Sequence, residues 1–136
     1  MSTKATDRDY RILRTIERVA PMATAEDVGI LRRAERTLHH WCEQECGDGN
    51  DYCSWCLERD EETNIPYRVT YPHTGTSYRT KIADRETSAL KRVKAVCDRL
   101  GLFFFYQGDC RGCALYVGTE PLTDTNYSSR GVAVCV

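Results

Sequence analysis

Residues 84–106 read DRETSALKRVKAVCDRLGLFFFY and hold both kinds of regular structure in one run. Asp84 stands where a helix N-cap acceptor belongs. Leu90, Val93, Cys97 and Leu100 recur at spacings of three and four, and Gly101 supplies a left-handed exit. These signals predict a helix from Asp84 to about Leu100. Leu102-Phe103-Phe104-Phe105-Tyr106 is too short and too aromatic for a second helix, and it reads as a buried strand. A helix that feeds straight into a strand, with short connections elsewhere in the chain, favours antiparallel pairing and an α+β fold.

C-terminal to this run, the turn Gly108-Asp109-Cys110-Arg111-Gly112 returns the chain into Cys113–Val117 as a hairpin. A loop with Pro121, Asp124, Asn126, Ser128 and Ser129 then leads to a last strand, Gly131–Cys135. N-terminal to it, Tyr67–Tyr71 and Ser77–Ile82 alternate in polarity around Pro72-His73-Thr74-Gly75-Thr76 and read as another hairpin. The segment Glu58–Asn64 is charged enough to read as a surface connector.

Further back, a first helix is expected from Asp7 or Asp9 to just before Pro21, with Ile12, Leu13, Ile16, Val19 and Ala20 on its apolar face. A second begins at Thr24-Ala25-Glu26-Asp27. It carries Val28, Leu31, Ala34, Leu38, Trp41 and Cys42 as a stripe as far as Gly47, with Arg32, Arg33, Arg36, His40, Glu43 and Gln44 on a wet face. Residues 1–6 read as a disordered tail. The expected architecture is one α+β domain over residues 1–136, with about five mainly antiparallel strands and about three helices on one face.

The 136 residues suffice for one core, and 19 Lys and Arg against 20 Asp and Glu leave a net charge of -1. That balance gives no global attraction to nucleic acid or anionic lipid. No signal-like segment or bilayer-length apolar run is visible, so a cytosolic protein is expected. In that compartment the eight cysteines should stay reduced, which turns attention from disulfides to metal binding or burial.

Half of them fall in WCEQECGDGNDYCSWC, residues 41–56. Cys53-x-x-Cys56 has the spacing of a zinc knuckle. Cys42 and Cys46 would present two sulfurs from one side of a helix end, and the Gly47-Asp48-Gly49-Asn50 turn could close the site. A structural zinc on Cys42, Cys46, Cys53 and Cys56 is one reading, with His39 and His40 as substitute ligands. Four small apolar side chains at a corner of the core is the other, since a knuckle normally has glycine where Leu57 stands. Cys110-x-x-Cys113 lies on a turn and lacks the helix N-terminus that activates redox dithiols, while Cys97 and Cys135 read as core.

A calcium loop counted from Asp48 would need glutamate at its twelfth position, where Arg59 stands. No phosphate loop, nucleophile elbow or zincin motif is present in the sequence, and lone His73 has no identifiable partner. A metal- or cysteine-dependent enzyme would need an open coordination position beside Glu43 or Glu45. The residues point instead to a protein that binds a macromolecule through the polar turns, with Asp48, Asn50, Asp51, Asp109 and Arg111 as contact residues. The aromatic strand offers an alternative. Phe103 and Phe105 face opposite to Phe104 and Tyr106, and an open sheet face could stack single-stranded bases while Arg79, Lys81 and Arg111 hold phosphates.

The segments TLHHWCEQECGDGNDYCSW, ERDEET, DRETSALKRV and YQGDCRGCALYV, with the terminal Tyr127-x-x-x-Gly-Val-Ala-Val-Cys, resemble a group of small proteins encoded by tailed phages and bacterial prophages. The resemblance spans roughly residues 34 to 135 and rests on Glu45, Cys46, Gly47, Asp48, Asn50, Arg59, Asp60, Arg111 and Gly112. It implies an accessory protein acting inside a bacterial host. Its expected partner is a host or phage protein, inhibition of a host defence system of the anti-CRISPR kind being one concrete version. Related sequences often lack thiols at the positions of Cys42, Cys53 and Cys56, which would make zinc a property of this chain alone.

Overall fold

Residues 5–39, 53–72, 75–109 and 112–134 are described in a computed structural model of the chain. In order they form α1 (Asp7–Ile16), α2 (Ala25–Leu38), β1 (Ser54–Arg59), β2 (Pro66–Tyr71), β3 (Tyr78–Lys81), α3 (Asp84–Leu100), β4 (Phe103–Asp109), β5 (Gly112–Gly118), α4 (Tyr127–Arg130) and β6 (Val132–Ala133). The strands make one antiparallel sheet in the order β3-β2-β1-β4-β5-β6. The α+β expectation holds, with six strands and four helices among the described residues where about five and three were expected.

The three long helices begin by one device. Thr6 accepts the Asp9 N–H at 3.2 Å while the Asp9 carboxylate accepts the Thr6 N–H at 3.0 Å. Thr24 and Asp27 repeat both bonds at the same lengths. At α3 only half survives, because Ala83 rather than Asp84 is the N-cap and has no acceptor. Glu86 takes the Ala83 N–H at 3.1 Å. Each of these carboxylates is buried, and each is met by an arginine from another element: Asp9 by Arg32 of α2 at 2.8 Å, Asp27 by Arg99 of α3, and Glu86 by Arg68 of β2. Arg32 was expected on a wet face; its side chain is 13% exposed, drawn in by Asp9.

Burial alone would raise the Asp9 and Asp27 carboxyls. The backbone and arginine hydrogen bonds outweigh it and hold both below the usual aspartate range. Carboxyls lowered by folding stabilise the native state above their unfolded value, near 3.8, and that contribution is lost as pH falls through the lower folded values. Thermal midpoints measured from pH 6 down to pH 2 should therefore decline below about pH 4.5. Asp27→Asn should melt lower at pH 7 and decline less steeply in acid. Parallel curves for the two proteins would contradict the assignment.

The core lies between the sheet and α1–α3. Ile12 and Ile16 of α1, Val28, Leu31, Ala34 and Leu38 of α2, and Leu90, Val93 and Cys97 of α3 meet Trp55, Tyr106, Leu115 and Val117 from the strands. Glu35 enters this layer too, and its carboxylate accepts the Leu115 N–H at 2.6 Å.

Five boundaries depart from the sequence reading, the first being α1, which ends at Ile16 rather than just before Pro21. Helix α2 ends at Leu38 and not near Gly47, because His39 turns to φ -58°, ψ 133° and the Leu38 carbonyl accepts the Tyr106 hydroxyl at 3.0 Å. Trp41, Cys42 and Cys46 lie outside the described residues. The chain from Ser54 to Arg59 is a strand with neighbours on both sides, so the surface connector shrinks to a turn. There Asp60 accepts the N–H groups of Glu62 and Thr63 at 2.9 and 3.1 Å, and Asn64 takes φ +59°. A one-turn helix, α4, occupies part of the expected C-terminal loop. The last strand is confined to Val132–Ala133 among the described residues.

Candidate docking face

Opposite residues on paired strands share a side of the sheet. The register Trp55↔Gly108, Tyr106↔Leu115 and Phe104↔Val117 sends this set toward the helices. The alternate set, paired as Cys56↔Val69, Glu58↔Tyr67, Arg79↔Val69, Lys81↔Tyr67 and Phe105↔Tyr116, looks the other way. The sequence expectation that Phe103 and Phe105 oppose Phe104 and Tyr106 is met, and Arg79 and Lys81 stand on the Phe105 side.

That outward face has two halves. Over β4 and β5, Tyr127 of α4 stacks on Phe105 with centroids 5.4 Å apart and meets Tyr116 edge-on at 4.8 Å. One of the four helices therefore lies on the face expected to be helix-free. The segment before it brings Asp124 near enough for its charge to raise Cys56 and Tyr71. Over β1, β2 and β3 this face is open among the described residues toward Tyr67, Tyr71, Arg79 and Lys81, while Cys56 and Val69 at its centre are buried. Tyr71 is 45% exposed, the Arg79 guanidinium lies 4.5 Å from the Tyr67 ring centroid, and the Tyr67 hydroxyl donates to Glu58 at 3.0 Å. A polar recess of about 610 Å³ adjoins it, lined by Glu58, Arg59, Asp60, Glu61, Glu62, Tyr67 and Arg79.

Cys53, just before β1, faces the core and Cys56 the outer face, since the two are three positions apart along extended chain. The expected knuckle turn is the entry to β1, and the other two expected ligands, Cys42 and Cys46, lie outside the described residues. Burial first, then Glu58 and Asp124, pushes the Cys56 thiol up to about 11, which favours its protonated form at neutral pH. Burial likewise pushes Cys97 up to about 12, in keeping with its expected core position. Among the described residues no group of three or more His, Cys, Asp or Glu is arranged to hold a metal. Cys53→Ala should cost about 1–2 kcal/mol through lost packing. The zinc content of Cys56→Ala protein should equal that of the parent, whatever its level. A fall on removing Cys56 alone would show that its thiol reaches a shared ion.

Of the expected contact residues, Asp109 lies at the end of β4 on the outward side, opposite Ser54. Asp48, Asn50, Asp51 and Arg111 lie outside the described residues, as do His40, His73, Cys110 and Cys135. The residues that sequence reasoning passed over are Glu58, Tyr67, Tyr71 and Tyr127. The first three carried a signal, tyrosines at alternate strand positions and an acid at the matching position of SWCLER.

No family model matches the chain, and no curated protein or solved structure matches it. Among the described residues no helix is long and apolar enough to cross a membrane.

Proposed function

We propose that this chain is a binding module that docks a protein partner on the open half of its sheet, with no chemistry of its own. The observation that carries the reading is the part of the β1–β2–β3 surface left open among the described residues, where Tyr71 and the Tyr67–Arg79 pair stand beside Glu58. Tyrosine and arginine on a rigid support supply contact area at low entropic cost and are enriched at interface hot spots. Four carboxylates, Glu58, Asp60, Glu61 and Glu62, against Arg59 and Arg79 in the adjoining recess favour a partner with a basic surface. The resemblance to phage and prophage proteins supports a partner inside a bacterial host, a defence protein among the candidates.

Single-stranded nucleic acid is the second reading, favoured by the side that Arg79 and Lys81 share with Phe105. Base stacking needs a run of free rings, and here Tyr127 occupies Phe105 while Asp124 and Glu58 oppose phosphate. The test is tagged protein expressed in a bacterial host, with any captured partner purified and titrated back. A saturable complex weakened about tenfold or more by Tyr71→Ala supports the reading. Binding of an oligothymidylate in place of any protein would replace it with the nucleic-acid reading.

A further inference from the structure

The first two helices turn half of their carboxylates inward and leave most of their arginines outside. Asp9 and Asp27 close their own helices and hold Arg32 and Arg99, and the buried Glu35 takes the Leu115 N–H. What stays exposed between residues 5 and 39 is six arginines, Arg8, Arg11, Arg14, Arg18, Arg33 and Arg36, against three acids, Asp7, Glu17 and Glu26. A chain of net charge -1 is thereby segregated, with a basic outer surface on α1 and α2, while Glu58, Asp60, Glu61 and Glu62 gather around the β1–β2 turn.

Four of these arginines form a row. Arg8, Arg11, Arg14 and Arg18 follow one another at intervals of three, three and four residues along α1 and the turn after it, over about 15 Å. Arg33 stands beside the start of α1: a Cβ added at Gly29 would meet its Nη1 at 3.1 Å and the Asp9 Oδ2 at 3.2 Å. Among the described residues Arg11, Arg14 and Arg18 make no ion pair. Like charges at these spacings destabilise a helix, and Arg8, in the first turn, opposes the helix dipole, so the fold gains nothing from the row. The apolar Ile12 and Ile16 of α1 are committed to the core, and Tyr10 is the one aromatic residue of α1, α2 and α3.

Such a surface has the charge of an interface without the desolvated apolar centre that anchors a protein partner. It offers no apolar helix face to a bilayer and no series of rings to unpaired bases. It suits a stiff, repeating anion, for whose phosphates guanidiniums are bidentate partners. The wide major groove of B-form DNA admits an α-helix, whereas that of duplex RNA is deep and narrow. We infer that the α1 row, with Arg33 beside it, holds the phosphate backbone of duplex DNA without reading its sequence. This surface lies on the side of the sheet opposite Tyr71 and goes beyond the docking reading.

The probe is a fluorescein-labelled DNA duplex of about 20 base pairs, titrated with the full chain by anisotropy at 50 and 200 mM salt. Saturable binding is expected, indifferent to sequence and about 40- to 150-fold weaker at the higher salt, as three or four phosphate contacts require. Arg11→Ala, Arg14→Ala and Arg18→Ala combined should remove most of that salt dependence and weaken binding at 50 mM by about tenfold or more. The thermal midpoint of this variant should stay level or rise, because like charges have left the helix. Arg11→Lys, Arg14→Lys and Arg18→Lys together should keep the salt dependence. No binding at 50 mM would overturn the inference. So would binding that the alanine variant leaves untouched, or that Tyr71→Ala abolishes, since either places the contact elsewhere. Tighter binding of duplex RNA or of oligothymidylate would overturn it in favour of that ligand. Retention on phosphatidylserine vesicles with none on the duplex would assign the row to a membrane surface. Capture of an acidic protein through the same three arginines, where the duplex does not bind, would assign it to a protein.

Discussion

Arg68→Ala should destabilise the protein by about 3–5 kcal/mol, a large share of the 5–15 kcal/mol that holds a domain of this size together. Arg68 and Glu86 pair between β2 and α3 with side chains 6% and 9% exposed. Removing the guanidinium leaves a carboxylate in the interior with the Ala83 N–H as its remaining hydrogen-bond partner among the described residues. The pair itself is not an optimal one, since the buried Arg68 Nε has no hydrogen-bond partner among the described residues. Desolvation of two charges therefore competes with their attraction, and taking out both should hurt less than taking out one. Urea unfolding of Arg68→Met, Glu86→Gln and the double variant should give a double-variant loss well below the sum of the singles. Simple additivity would mean that the two groups do not feel each other.

Trp55→Ala should cost about 3–5 kcal/mol, and Trp55→Phe about 1–2 kcal/mol. Trp55 is 1% exposed on the central strand, opposite Thr70 on one side and Gly108 on the other. The hole left by alanine opens at the middle of the sheet, where neighbours held by two ladders have little freedom to close it. Phe103→Ala, at a ring 46% exposed, should stay within about 1 kcal/mol of the parent and serves as the comparison. A Trp55→Ala loss no greater than that of Phe103→Ala would place the indole outside the core and remove β1 from the centre of the sheet.

The helices were legible because their apolar residues keep helical spacing and their caps are local: Thr24 and Asp27 sit three apart, and Gly101 takes φ +71° as its position implied. β2 and β3 were legible from alternation, β4 from its short aromatic run and β5 from the turn before it, and the two-residue repeat gave the opposition of Phe103 and Phe105 to Phe104 and Tyr106. β1 was not. Its six residues end in Glu58-Arg59, follow a glycine turn and carry a cysteine spacing that invites a metal reading, so competing local signals masked a strand whose support is nonlocal. Pairing between Trp55 and Gly108 joins residues more than fifty positions apart, and no local pattern announces it. The docking face inherits that limit. Tyr67, Tyr71 and Arg79 share a side by period two, but Glu58 joins them only once β1 is in place, and the shielding of Phe105 by Tyr127 depends on a return of the chain from β5.

Asp9, Asp27 and Glu86 each do two jobs with one carboxylate, closing the start of their own helix and holding an arginine from elsewhere. A single proton arriving at Asp9 or Asp27 unties both at once. The molecule therefore has little scope to come apart in acid by stages, with a helix fraying first while its neighbours hold on. Acid titration followed by far-ultraviolet and near-ultraviolet circular dichroism should show secondary structure and side-chain packing vanishing along one shared curve.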